Sequence, residues 1–211
     1  MKNTLLSVCI IVATILLSVV TYSSLSSEIA IHWTDGEVTG TAPKLLGVLL
    51  IPVIMIVIYL ILSLLFRTDP RKENLSGKIK NITISTILFL LFSVHTTILA
   101  VGLGYNLDMN IVSGLIIGTV MMVLGNIMPQ AKKNFIFGLR TPWTLSNDKV
   151  WAISNRFTGR IFFLAGFLII LSVIIIPQHN FVFTISLVLL VAVIGTIHSF
   201  VVYKRIANEN G

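Results

Sequence analysis

Residues able to do acid–base, nucleophilic or metal chemistry are few in this chain of 211 residues, and their spacing assembles no catalytic set. The eight carboxylates (Glu28, Asp35, Glu37, Asp69, Glu73, Asp108, Asp148 and Glu209) are dispersed over polar stretches. There is no His-Glu-x-x-His, no Gly-x-Ser-x-Gly and no phosphate-binding loop. The single cysteine, Cys9, rules out a disulfide framework and a CxxC metal site. A metal would have to gather His32, His179 and distant carboxylates, so neither a cofactor nor catalysis is expected. His95 and His198 lie inside long apolar runs, where an ionisable group is a functional candidate. On helices they differ in depth by about 10 Å, too far to share a proton or a metal. They read as neutral, hydrogen-bonded packing residues.

Recognition chemistry is denser. It lies in two polar stretches, 23–44 and 129–160. The first offers His32, Trp33 and Gly36. The second offers Pro129, Lys133, Asn134, Gly138, Arg140, Thr141, Pro142, Trp143, Thr144, Trp151 and Arg156, with Asn126 just ahead of it. A planar arginine fork and indole N–H donors among turn residues suit binding more than bond-making.

The elements that must position these residues are written in the composition. Hydrophobic residues make up 55% of the chain and charged ones 11%, with a mean hydropathy of +0.97. A soluble domain carries about 25% charged residues, so this chain cannot cover a globular surface in water. Six apolar runs free of Asp, Glu, Lys and Arg are long enough, or nearly so, to cross a bilayer: Leu5–Tyr22, Leu45–Phe66, Ile82–Leu103, Ile111–Met128, Ile161–Pro177 and Phe181–Tyr203. They are continuous rather than alternating, which excludes a barrel. The expected fold is an all-α polytopic membrane protein of six helices. Lys2 before the first run invites a signal-peptide reading. The run is longer than a signal core, however, and Tyr22–Ser26 make a poor cleavage site, so it is expected to stay as an anchor.

Fourteen of the fifteen basic residues fall at one end of the six-helix arrangement, and only Lys44 at the other. The acids divide evenly. Such asymmetry predicts both termini in the cytoplasm, and it makes the net charge of +7 a signal of orientation rather than of nucleic-acid binding. On helix four, Gly114, Gly118 and Gly125 form one smooth stripe. It can serve packing within the bundle, with Gly159 and Gly166 as the facing surface, or a homodimer contact through Gly114 and Gly118.

In the longer inner loop Pro129 ends helix four, Gly138 and Pro142 punctuate the chain, and Thr141 before Pro142 is extended. Ser146 is the expected N-cap of a following helix. That helix puts Val150, Trp151, Ser154, Phe157 and Thr158 on one face, with Lys149, Asn155, Arg156 and Arg160 towards the other. It reads as an amphipathic helix at the inner headgroup layer, where the basic residues could be no more than an interfacial anchor.

The string Gly125-Asn126-Ile127-Met128-Pro129, then Lys133-Asn134, then Gly138-Leu139-Arg140-Thr141-Pro142-Trp143-Thr144-Leu145, then Val150-Trp151 and Arg156-x-x-Gly159, resembles the signature of the SdpI family of bacterial immunity proteins. Glu28–Trp33, Gly36-Glu37-Val38, Gly40 and Lys44 resemble the small N-terminal domain that accompanies it. Two features depart from the family pattern: Ser26 and Ala30 stand near positions usually held by proline, and Ser154-Asn155 replaces a frequent Thr-His pair. The resemblance implies an N-terminal two-helix unit, 1–66, with outer loop 23–44, and a four-helix region, 67–211, with motif loop 129–160. It further implies a plasma-membrane protein that protects against a secreted peptide toxin met on the outer face. Such a protein can also hold a small winged-helix repressor at the cytoplasmic loop, without touching nucleic acid itself. A transporter or permease is the alternative, and it would need a polar path that these spans lack.

Overall fold

The computed structural model describes residues 2–34 and 37–209. Gly36, one of the expected recognition residues, lies outside them. Helix α1 (Lys2–Thr21) leads through a short 3₁₀ turn into strands β1 (Glu28–Thr34) and β2 (Glu37–Pro43). Then follow α2 (Lys44–Thr68), α3 (Gly77–Gly102), α4 (Met109–Ile127), the short α5 (Pro142–Ser146), α6 (Asp148–Ile175) and α7 (Asn180–Glu209). Six of these, all but α5, are long and apolar enough to cross a membrane. The all-α polytopic fold is therefore as expected, with one addition. The outer loop is an antiparallel hairpin, in which Glu28 faces Pro43 and Trp33 faces Val38, with an irregular register around His32. Alternation explains it: Ile29 points inward against α2 and α3, while His32 stays exposed.

Two packing groups make the bundle. In one, α1, α2 and α3 surround a core that includes Met55, Leu88 and Leu99 and runs from the hairpin to Phe137 of the motif loop. In the other, α4, α6 and α7 meet around Met121, Ile169 and Val191. Small polar residues tie α1 to its neighbours. Ser7 hydrogen bonds Ser85 (3.2 Å), Thr14 donates to Met55 Sδ (3.4 Å), and Ser18 lies 2.7 Å from Nε2 of the fully buried His95. His95 is thus hydrogen-bonded, whereas His198 stacks on Phe157 at 3.9 Å.

The glycine stripe is consumed inside the chain. A β-carbon on Gly118 would lie 2.8 Å from the Gly166 carbonyl, and one on Gly125 would lie 2.7 Å from that of Gly159. Backbones this close need glycine on both helices. Gly114 and Gly118 are buried against α6 and α7 and offer a second copy no free face, which corrects the homodimer reading.

A second correction concerns α6. The amphipathic segment and the fifth span form one helix of 28 residues. Nothing between Asp148 and Ile175 breaks it, and the buried face of Trp151, Ser154 and Thr158 continues in phase into Ala165, Ile169 and Ser172. Its first turns stand upright in the bundle instead of lying in the headgroup layer.

Candidate functional site

The motif loop runs from Met128 to Asn147 at the bundle end opposite the hairpin. Asn134 sets its first half. This side chain is fully buried. Its Oδ1 accepts from the Ile136 and Phe137 N–H groups at 2.8 and 2.7 Å, and its Nδ2 donates to the Lys132 and Phe137 carbonyls. An asparagine can fill four hydrogen-bond roles at once, and here all four go to backbone. Lys133 beside it pairs with the exposed Asp148 at 2.5 Å, a surface contact worth about 0–1 kcal/mol.

Gly138 turns the chain at φ +114°, a conformation side chains rarely adopt. A β-carbon there would lie 2.5 Å from Asn155 Oδ1 and 3.2 Å from Trp151. Asn155 needs that closeness, because its Oδ1 accepts the Leu139 N–H (2.7 Å) while its Nδ2 donates to the Trp151 carbonyl (3.1 Å). Expected on the outward side, Asn155 is instead buried and joins α6 to the loop. Trp151, 2% exposed, donates its indole N–H to the Ala131 carbonyl at 2.8 Å and seals the loop from below.

The second half is a small helix of its own. Thr141 caps α5 by accepting the Thr144 N–H, and the Thr144 hydroxyl accepts the Thr141 N–H, a closed capping box with Pro142 at the first position. Ser146, the expected N-cap of the next helix, ends α5 and donates to the Trp143 carbonyl. Asn147 caps α6, accepting from Lys149 and Val150. The displaced cap has a simple cause: Thr-Pro-Trp-Thr starts a helix earlier, and Asn binds the orphan N–H groups at least as well as Ser.

Trp143 packs on Phe200 with ring centres 5.2 Å apart and donates its indole N–H to the Ser199 hydroxyl, so α5 is pinned to α7. The exposed Arg140 donates to the Phe135 carbonyl and closes the first half of the loop. Pro129 packs over Gly159. Asn126 and Arg156 are exposed at the rim, with the Asn126 carbonyl accepting from Gln130. Of the expected inner residues, Lys133, Asn134, Gly138, Arg140, Thr141, Trp143, Thr144 and Trp151 therefore form one connected loop. Missing from the sequence-based set were Asp69, Arg71 and Asn74 on the α2–α3 turn, and Ser199 on α7. All four touch the loop across large sequence distances that no local pattern signals.

At the other end His32 Nδ1 meets Thr39 Oγ1 at 2.7 Å, and Trp33 rests partly buried on the core. Lys44, the one basic residue there, donates to the Tyr22 and Leu25 carbonyls and lies 4.7 Å from the Tyr22 ring centre. Among the described residues, no three His, Cys, Asp or Glu side chains gather in a way that could hold a metal.

Residues 130–199, which begin at the motif loop and end at the Trp143 partner Ser199, match the SdpI/YfhL protein family. Along its whole length the chain is 31% identical, over 206 residues and 98% of each chain, to the Immunity protein SdpI of Bacillus subtilis (strain 168). The chain belongs to the SdpI/YfhL family. Residues 9–56, comprising most of α1, the hairpin and half of α2, match a domain of unknown function, DUF1648. No solved structure matches. Membership of this family and the six apolar helices make the chain a multi-pass cell-membrane protein.

Proposed function

We propose that this chain is a membrane immunity protein that protects its cell against a secreted antimicrobial peptide toxin. The observation that carries the reading is the end-to-end likeness to a relative named as an immunity protein, which covers the hairpin and the motif loop together. The physical character of the two ends supports a binding role. The hairpin presents His32 beside Trp33, and the loop is pre-organised by buried asparagines and a capping box, which lowers the ordering cost of binding. No bond-making step is assigned to it.

In this reading both termini and the motif loop face the cytoplasm, since the basic residues gather at that end. The toxin is met from the hairpin side. The loop, with Arg140, Trp143 and its basic surroundings, is the docking surface for a small winged-helix repressor, which the protein holds at the membrane without contacting nucleic acid. We assign residues 1–66 to the toxin-facing unit and 67–211 to the part that carries the loop.

Survival curves test this. The gene is expressed in a sensitive bacterium and challenged with a panel of purified membrane-active peptide toxins. Protection against at least one peptide, absent from the empty-vector strain, is expected. Equal killing across the panel overturns the immunity reading.

A further inference from the structure

Three residues of the turn between α2 and α3 grip the motif loop at three points. The Asp69 carboxylate, 5% exposed, accepts the Phe135 N–H through Oδ2 at 3.0 Å and its own turn's Arg71 N–H through Oδ1 at 2.6 Å. The Arg71 guanidinium lies 4.9 Å from the centre of the Phe135 ring. Asn74 donates its side-chain amide to the Lys133 carbonyl at 2.7 Å. Asp69 is not in an ion pair; among the described residues that role belongs to Lys133 and Asp148. A buried carboxylate held only by backbone N–H groups is costly to retain, so position is what it supplies.

The other end of α2 is as tightly joined. Strand β2 ends at Pro43 and α2 begins at Lys44 without a linker, and the Lys44 N–H binds the Ser27 carbonyl at 2.8 Å. Ile29 of β1 fills the space that a side chain on Gly47 would need. Between these joints α2 runs for 25 residues, unbroken through Pro52, a rod of about 37 Å. The hairpin and the motif loop are thus fixed to opposite ends of one helix.

We infer that the Asp69–Arg71–Asn74 turn is a clasp through which the hairpin unit sets the conformation of the motif loop. Asp69 is its central positioning residue, and α2 is the element that transmits a displacement. The clasp lies outside both matched segments, 9–56 and 130–199. The inference rests on the proposed reading only in taking the motif loop as the working surface.

The test uses the full-length protein in lipid nanodiscs, in a Cys9→Ser background, and measures labelling of a buried cysteine by a soluble maleimide. One reporter is Ala131→Cys, at the start of the loop. The control is Val150→Cys, also buried, on α6. Asp69→Asn keeps the shape but turns an amide N–H₂ towards one of the two donors, losing a hydrogen bond to a charged acceptor. It is expected to speed labelling at Ala131 about tenfold and to leave Val150 within about twofold.

Gly47→Ala, whose β-carbon must displace the buried Ile29 side chain of the hairpin, supplies the second arm. It is expected to speed labelling at Ala131 when Asp69 is intact and to add nothing once Asp69 is Asn. Unchanged labelling at Ala131 in Asp69→Asn overturns the clasp. So does an equal rise at both reporters, which marks general loosening, or a Gly47→Ala effect independent of Asp69. None of these readouts involves toxin, so the clasp and the immunity reading fail separately.

Discussion

Replacing Gly138 with alanine should open the motif loop, and the size of the effect can be worked from its surroundings. The residue sits at φ +114°, where a side chain costs about 1–3 kcal/mol of backbone strain. The new β-carbon would meet Asn155 Oδ1 at 2.5 Å and Trp151 at 3.2 Å. Trp151 is held by the Ala131 carbonyl and is 2% exposed, so Asn155 must yield. In yielding it abandons the Leu139 N–H, and an orphaned partly buried donor costs about 1–3 kcal/mol. Reduced freedom of the unfolded chain returns about 0.4–1 kcal/mol.

The net destabilisation is about 1–6 kcal/mol, concentrated in the loop. Limited trypsin digestion in nanodiscs reads it, because Lys132, Lys133 and Arg140 all lie in the loop and cleavage tracks the open population when reclosing is fast. Cleavage at these sites should rise at least about fivefold, the change that about 1 kcal/mol brings, while Gly77→Ala, whose β-carbon meets nothing within 4 Å, leaves the rate unchanged or lower. Unchanged cleavage in Gly138→Ala would refute the argument that the Gly138–Asn155 contact holds the loop.

Three further outcomes are expected. Asn155→Leu keeps the branched outline of the side chain but leaves the Leu139 N–H unpaired, and should lower the thermal midpoint of the purified protein, whereas Arg156→Leu on the exposed rim should leave it within a few degrees. Gly118→Ile should prevent α4 and α6 from closing, seen as loss of the protein from the membrane fraction by immunoblot; normal levels would show that the stripe is not the packing contact described. Cysteines at Ser24 and Ser146, in a Cys9→Ser background, should differ in intact cells: an impermeant maleimide labels Ser24 and spares Ser146, and the opposite pattern inverts the proposed orientation.

The spans were legible because one physical signal dominates them. Uncharged apolar runs of membrane length have a single stable backbone form in lipid, and the α4 stripe with Gly159 and Gly166 showed which backbones approach. The hairpin was harder to see. Glu28–Trp33 carries too short an alternation to stand out beside six long apolar runs, and its inward residues meet α2 and α3 only once the helices are assembled. Asn155 shows the limit of a helical wheel. A polar residue flanked by Ser154 and Arg156 reads as outward-facing, yet the Leu139 N–H, left free by the turn at Gly138, draws it into the core. The Thr-Pro-Trp-Thr signal for α5 is present in the residues, but Ser146 offers a competing N-cap signal five residues on. Asp69 could not be read from sequence at all, since before Pro70 it looks like an ordinary helix stop, and its partner lies 66 positions away.

Whether the motif loop is a shaped site or a basic lipid anchor decides the account, and survival under peptide toxin with two conservative substitutions measures it most directly. Arg140→Lys keeps the charge but loses the planar fork that reaches the Phe135 carbonyl. Trp143→Phe keeps an aromatic ring against Phe200 but loses the N–H bound to Ser199. At membrane levels matched by immunoblot, each should abolish protection or signalling, while Lys132→Arg and Lys149→Arg function as well as the parent. Full protection by both the Arg140 and the Trp143 variants would contradict the account and leave the loop a generic anchor.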